Sequence, residues 1–273
     1  MKKRKLFKTE EYTFKSEKIA KRKLFVFLSD LHGAVYGHNN DALKAAIRRV
    51  KPDAVLIGGD MVIARDAFFR IPNWEKAAID LVSDLAKDNK VYYCNGNHES
   101  VIRKYRNQAV WLNFSEALID SGVEFINNKS VEFDEVIISG FEPLEEVKHF
   151  NIPRAYFKNT KYLPKMDELD NRLGIARNDR YNLLLAHKPE FIKEYSIWGA
   201  DLVLSGHNHG GVVKLFNKGL VGASMKLFPE YTDGVYTRNN TKMIVSRGLG
   251  SHTLDIRINN PAELSVIELL PVF

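Results

Sequence analysis

Aspartate, asparagine and histidine recur in this chain in five short blocks whose residue types suit a pair of metal ions set to cleave a phosphate ester. The blocks are Asp30-Leu31-His32, Gly58-Gly59-Asp60, Gly96-Asn97-His98-Glu99, Ala186-His187 and Gly206-His207-Asn208-His209. A carboxylate lying between two divalent cations can bridge them at about 3.5–4 Å and keep a hydroxide in line for attack on phosphorus. Asp60 is the expected bridge, because the two glycines before it permit close approach. Asp30 and His32 stand two residues apart, and an extended strand end would project both to one side. They are expected to hold the first metal with one of the last two histidines. Asn97, His187 and the other of those histidines would hold the second. His98 directly follows a ligand and cannot easily reach the same ion, so its expected role is general acid toward the leaving oxygen. Oxygen donors mixed with imidazoles suit Mn, Fe, Zn, Co or Ni better than Ca.

A lone Asp at a strand end is usually a turn former, and a lone His is usually structural. The grouping argues otherwise: five of the eight histidines fall just after apolar runs, beside a paired Asp or Asn. Those runs are residues 24–29, 54–57, 91–94, 183–186 and 202–205, each short and continuously apolar, as in strands buried on both faces. In open α/β sheets the ligand crevice lies beyond the carboxyl ends of the strands, so five such ends aim their blocks at one place. Between them, residues 41–50 (with Asn40 or Asp41 as cap), 74–86 and 111–120 carry helical periodicity. The β-α-β-α-β-α order predicts a parallel sheet with crossover helices. Residues 11–19 alternate as an edge strand. Later stretches at 123–126, 130–133, 136–139, 243–246 and 264–269 read as short strands, and 167–176 as a helix.

The succession Asp-x-His, Gly-Asp, Gly-Asn-His-Glu, an isolated His and Gly-His-x-His, from Leu24 to about Gly211, resembles the calcineurin-like metallophosphoesterase superfamily. Later residues are similar to its bacterial branch of cell-wall-associated phosphoesterases and UDP-2,3-diacylglucosamine pyrophosphatases. They are Lys226-Leu227-Phe228-Pro229, Ser246-Arg247-Gly248-Leu249-Gly250, and Arg257 through Pro261-Ala262-Glu263-Leu264. The resemblance implies a four-layer α/β/β/α sandwich of two mixed β-sheets flanked by helices. It implies two divalent or trivalent metal ions, with manganese the expected ion in vitro. Asp30, His32, Asp60 and His209 would hold one, and Asp60, Asn97, His187 and His207 the other. Asn208 departs from the apolar residue common between the last two ligands. The implied reaction is hydrolysis of a phosphodiester or pyrophosphate by a metal-bridging hydroxide, with His98 as acid. The implied substrate is a small phosphate ester or pyrophosphate, in an envelope lipid or a wall precursor. A phosphomonoesterase, a nuclease and a non-catalytic scaffold of the same fold are the alternatives.

Substrate-side expectations fall on His38 and Tyr36 after the first ligand pair, on Arg65, and on Arg247 in the Gly-rich loop 247–252. Residues 141–166, with bases among aromatics, are expected to form a cap insertion. At 273 residues the chain suits one domain over 24–273, preceded by a basic arm and edge strand over 1–23. The net charge of +6 suits an anionic substrate, but its concentration before Leu24 points to peripheral membrane contact or a solvated arm rather than a nucleic-acid groove. Cys94 is the sole cysteine, which excludes an internal disulfide and a Cys-based zinc site. With no transmembrane or signal-like run, the expected location is cytoplasmic or peripheral at a membrane.

Overall fold

The computed structural model describes residues 2–4, 6–64, 74–106, 108–142, 167–211, 213–215, 218–221, 230–251, 257 and 259–272. In chain order the first half runs β1 (Lys2–Arg4), β2 (Phe7–Ser16), β3 (Lys23–Leu28), β4 (Ala34–Tyr36), α1 (Asp41–Val50), β5 (Ala54–Ile57), α2 (Trp74–Ala86) and β6 (Lys90–Tyr93). It continues through α3 (Asn97–Val101), a π-helix (Ile102–Arg106), α4 (Gln108–Asp120) and β7 (Val123–Phe125). The second half runs β8 (Lys129–Phe133), β9 (Val136–Phe141), α5 (Glu168–Leu173), β10 (Tyr181–Ala186), a 3-10 turn (Pro189–Phe191), α6 (Ile192–Trp198) and β11 (Leu202–Ser205). A hairpin, β12 (Val213–Leu215) with β13 (Lys218–Val221), leads to β14 (Gly234–Arg238), β15 (Thr241–Val245) and β16 (Ala262–Pro271).

Two six-stranded mixed sheets form the frame, in the orders β2-β16-β3-β5-β6-β7 and β14-β15-β11-β10-β9-β8. β3, β5, β6 and β7 run parallel, as do β9, β10, β11 and β15. Their carboxyl ends therefore open on the same edge of each sheet. Side chains alternate between two apolar faces. Phe25, Phe27, Leu56 and Ile267 face Ile138, Leu183, Leu185, Leu204 and Ile244 across the middle of the molecule. Val26, Leu28, Val55 and Ile57 instead meet Leu43, Ile47, Leu81, Val82, Phe114 and Leu118 of the helices covering the first sheet. Leu169, Tyr195 and Trp198 of α5 and α6 cover Leu184, Val203 and Met243 on the second. The result is the α/β/β/α sandwich, because strands apolar on both faces must be covered on both.

Local departures have physical causes. Asn40 occupies the N-cap position of α1, but its side chain makes no cap hydrogen bond and instead accepts from Tyr36 N at 2.9 Å. The helix expected over 167–176 stops at Leu173, where Gly174 turns left-handed and its carbonyl receives Trp198 Nε1 at 2.8 Å. β2 begins and ends earlier than the alternation at 11–19 suggests and pairs with β16 along all ten residues, Phe7 to Ser16. Among the described residues no helix is long and apolar enough to cross a membrane.

Candidate metal centre

The turns that carry the donors are left-handed rather than extended. Asp30 (φ 53°), His32 (φ 47°), Asp60 (φ 54°), His207 (φ 71°) and His209 (φ 52°) all sit in the region that disfavours a β-carbon. The expected projection of Asp30 and His32 from an extended strand end is thereby corrected, since β3 ends at Leu28 and the chain turns before either donor. Such conformations cost on the order of 1–3 kcal/mol each and persist only where the surroundings fix them. Here the turns fix one another. Asp30 N, His32 N and Gly33 N donate to Gly59 O, Asp60 O and Met61 O at 2.9, 3.1 and 3.3 Å. On the other side Leu249 N and Gly250 N donate to Ser29 O and Asp30 O.

Glu99 is the residue whose role sequence reasoning left unassigned. It is fully buried, and its two oxygens accept four donors: Asp60 N at 2.8 Å and Gly96 N at 3.0 Å on one, Met61 N at 2.9 Å and Tyr93 hydroxyl at 2.8 Å on the other. Glu99 thus fastens the Asp60 turn to the turn that carries Asn97 and His98. Two glycines do the complementary work of closeness. A Cβ on Gly59 would overlap the backbone of Gly96, and one on Gly206 would overlap Asp30 Oδ2. The glycine before Asp60 therefore serves the packing of one ligand turn on another.

Three groups of donors meet within 4.8 Å: Asp30 with His32 and His209, Asp60 with His187 and His207, and Asp60 with His32 and His98. His209 Nε2 lies 3.3 Å from Asp30 Oδ1, and His187 Nε2 lies 3.0 Å from Asp60 Oδ2. Asn97 joins the second group through its Oδ1, 2.9 Å from His207 Nδ1. Asp60 touches both sets, since its Oδ2 is also 4.0 Å from His32 Nε2. His98 donates its backbone N–H to Asp60 Oδ1 at 2.8 Å, and its Nε2 stands 3.9 Å from Asp60 Oδ2.

The ring hydrogen bonds test whether cations fit. His32, His187 and His209 place Nδ1 against the carbonyls of Val62 (3.1 Å), Gly58 (2.7 Å) and Gly250 (3.3 Å). A carbonyl can only accept, so each ring donates Nδ1–H there and turns Nε2 toward the centre. Nε2 of His32 and Nε2 of His209 stand only 3.3 Å apart. Buried His187 Nε2 makes no well-formed hydrogen bond. A divalent cation resolves both situations, and the donor set fits it. His98 is poised the other way. Its Nδ1 accepts Ala64 N–H at 2.7 Å, which leaves the ring proton on Nε2, facing Asp60.

Electrostatics are those of acids crowded by imidazoles out of water. Burial and the charge of Asp60 raise Asp30 to about 6, against the pull of His187. Burial pushes Asp60 upward too, but His187, His98 and His32 outweigh it and hold its carboxyl well below the usual range. Burial opposes protonation of His187, yet Asp60 and Asp30 raise it to about 10. His207 is driven well below 6.5 by burial and by His187 and Lys188.

Three of the expected substrate-side residues are described, His38, Tyr36 and Arg247. His38 is 83% exposed and stands 3.7 Å from Asp41 at the start of α1. Tyr36 is buried, its hydroxyl donated to Leu249 O. Arg247 is taken up by Glu10 at 2.7 Å and Glu263 at 3.1 Å, with Asp233 at 3.9 Å. Arg257 donates to the carbonyls of Arg247, Gly248 and Gly250, so it braces the loop behind Asp30. Asn208 turns away to donate to Tyr231 O at 2.6 Å. Arg65, the cap residues 143–166, 226–229 and His252 lie outside the described residues.

A family model described as calcineurin-like phosphoesterase matches residues 23–211. An uncharacterized metallophosphoesterase of Helicobacter pylori is 26% identical over 97% of this chain and 64% of its own length. Phosphodiesterase YaeI of Escherichia coli is 26% identical over 90% of this chain and 81% of its own. The uncharacterized metallophosphoesterase YkuE of Bacillus subtilis is 25% identical over 97% and 86%. The chain thus spans about two thirds of the length of the Helicobacter relative. It belongs to the calcineurin-like phosphoesterase family.

Proposed function

We propose that this chain, as a calcineurin-like phosphoesterase, hydrolyses a phosphodiester or a pyrophosphate at the centre between Asp30 and Asp60 with two metal ions bound. The observation that carries the reading is the meeting of two donor clusters with one proton donor. Asp30, His32 and His209 converge on one side, Asp60, His187 and His207 on the other, and His98 faces their junction. In this reading Asp30, His32, Asp60 and His209 hold one ion, and Asp60, Asn97, His187 and His207 hold the other. Mn, Fe, Zn, Co and Ni suit the donors. Bound there, a cation pair acidifies water and draws charge from the phosphoryl oxygens.

The side chains supply orientation and the proton. Asp60 fixes the start of α3 by accepting His98 N–H, and so sets the height of the His98 ring. Ala64 N–H on Nδ1 keeps the proton of His98 on Nε2, the nitrogen from which it passes to the leaving oxygen. Glu99 and the paired turns hold both in register. The name of the Escherichia coli relative supports a diester, and the branch resemblance supports a pyrophosphate of an envelope lipid or wall precursor. Membrane contact through the basic residues before Leu24 rests on their charge alone.

The test is a panel of aryl monoester, aryl diester, pyrophosphate ester and single-stranded DNA, assayed with manganese, zinc or iron and again after chelation. The expected result is turnover of diester or pyrophosphate, lost on chelation and restored by metal. A protein that retains two equivalents of metal yet turns over none of these refutes the reading.

A further inference from the structure

Arg103 is a cation close in the chain to His98 that the proposed chemistry does not use. It belongs to the π-helix that continues α3, five residues beyond His98. Short π segments within helices are frequent at functional sites. The guanidinium meets Glu142, which follows β9. Phe141 pairs with Ala186 in register, so Glu142 and His187 leave neighbouring parallel strands at the same level. Glu142 is buried and also accepts from Asn95 Nδ2 at 3.3 Å and from Ser100 Oγ. The carboxylate is thereby tied to the turn of Asn97 and His98, and the guanidinium to the carboxylate.

The ion pair is one-sided. Nη2 alone reaches both carboxylate oxygens, at 3.0 and 2.9 Å. A guanidinium serving only to neutralise a buried carboxylate would meet it with two nitrogens, fork to fork. Here Nε is buried without an acceptor, and among the described residues no acceptor takes Nη1. The side chain is still 35% exposed. Arg172, nearby, differs. Its Nη1 goes to Glu142 O at 2.7 Å and its Nη2 to Glu168 at 2.6 Å, so it is consumed by the fold. Arg103 instead offers a fixed positive charge with a donor to spare, the form in which arginine recognises phosphate.

We infer that Arg103 selects a substrate whose leaving limb is itself a phosphate, so that a pyrophosphate is favoured over a diester with a neutral alcohol. This rests on the phosphoesterase reading of the centre. In the reaction a water oxygen bonds to one phosphorus and its proton passes to solvent. The bond from that phosphorus to the bridging oxygen breaks, and that oxygen leaves on the second phosphate with the bonding pair and the proton from His98 Nε2, the other oxygens of that phosphate keeping their charge. Arg103 meets the charge that departs.

The experiment compares UDP-glucose with bis(4-nitrophenyl) phosphate as substrates of the manganese-loaded full chain and its Arg103→Met and Arg103→Lys variants. Binding of imidodiphosphate is measured by calorimetry alongside. Loss of one charge-assisted contact is expected to lower kcat/KM for the pyrophosphate about 10- to 100-fold more than for the diester. Arg103→Lys should fall between, and imidodiphosphate binding should weaken in the same order. Because Arg103→Met leaves Glu142 buried and unpaired, the double variant Arg103→Met/Glu142→Gln is measured too, and the same change in substrate ratio is expected. A ratio unchanged in both variants, with turnover persisting, overturns the inference alone. Wild-type protein that cleaves neither ester overturns the phosphoesterase reading and this inference with it.

Discussion

Replacing Glu99 by glutamine tests whether the centre is held from beneath. The carboxylate accepts four donors, two at each oxygen. A glutamine amide can place its oxygen where Asp60 N and Gly96 N are satisfied, and its NH2 then faces Met61 N–H and the Tyr93 hydroxyl. The hydroxyl can rotate to accept, but Met61 N–H cannot. One buried donor is therefore orphaned, at a cost of about 1–3 kcal/mol. For a chain of this size each kcal/mol lowers the unfolding midpoint by roughly 2–4 °C, so E99Q should melt about 2–12 °C lower. E99L orphans all four donors and should fall further. The assay is thermal unfolding of the metal-free protein followed by circular dichroism. Manganese uptake is measured in parallel, because the Asp60 turn loses its anchor. Equal midpoints for wild type and E99Q, or an E99L no less stable than E99Q, would show that Glu99 does not fasten the two turns.

Three other outcomes follow from the same geometry. His98→Asn should keep both metals by elemental analysis yet lose about 10²–10⁴-fold in turnover of an ester with a poor leaving group; undiminished turnover removes His98 from the acid's role. Gly206→Ala forces a Cβ onto Asp30 Oδ2 and should cost about 1–3 kcal/mol together with metal affinity; a variant with wild-type midpoint and uptake contradicts the packing. In the metal-free protein His187 is raised to about 10 by Asp60 and Asp30 despite burial. Its folded value exceeds the unfolded one, so this contribution to stability is complete below pH 6.5 and gone once pH passes about 10. Metal uptake at pH 8 must therefore expel about one proton, read by calorimetry in buffers of differing ionisation enthalpy; uptake without proton release refutes it.

The sequence made the donors legible because their types were specific and their strands apolar throughout. β5 and β11 match the expected 54–57 and 202–205, since turn formers bound each run on both sides. What it concealed was conformation. Nothing in Asp30-Leu31-His32 announces left-handed backbone, because neither residue is a glycine and the pairing that enforces it comes from Asp60, distant in the chain. Glu99 was visible within its block, but two of its four donors, Asp60 N and Met61 N, come from a segment distant in the chain. β14 went unread because its two apolar residues, Val235 and Tyr236, are adjacent and show no alternation at an exposed edge, although Asn239-Asn240 before β15 is a turn signal. α6, seven residues between two strands, is too short for a periodic pattern to stand out.

Five donors anchored in left-handed backbone restrict which replacements can be accommodated at all. Asparagine and glycine tolerate that region, whereas valine, isoleucine or threonine would have to bend the loop before any question of coordination arose. A silent but intact protein is therefore reached at Asp30 or Asp60 by asparagine. A β-branched substitution at the same position breaks scaffold and chemistry together. Mutants lacking activity divide accordingly into well-folded blanks and collapsed loops, according to the shape of the incoming residue and not its charge.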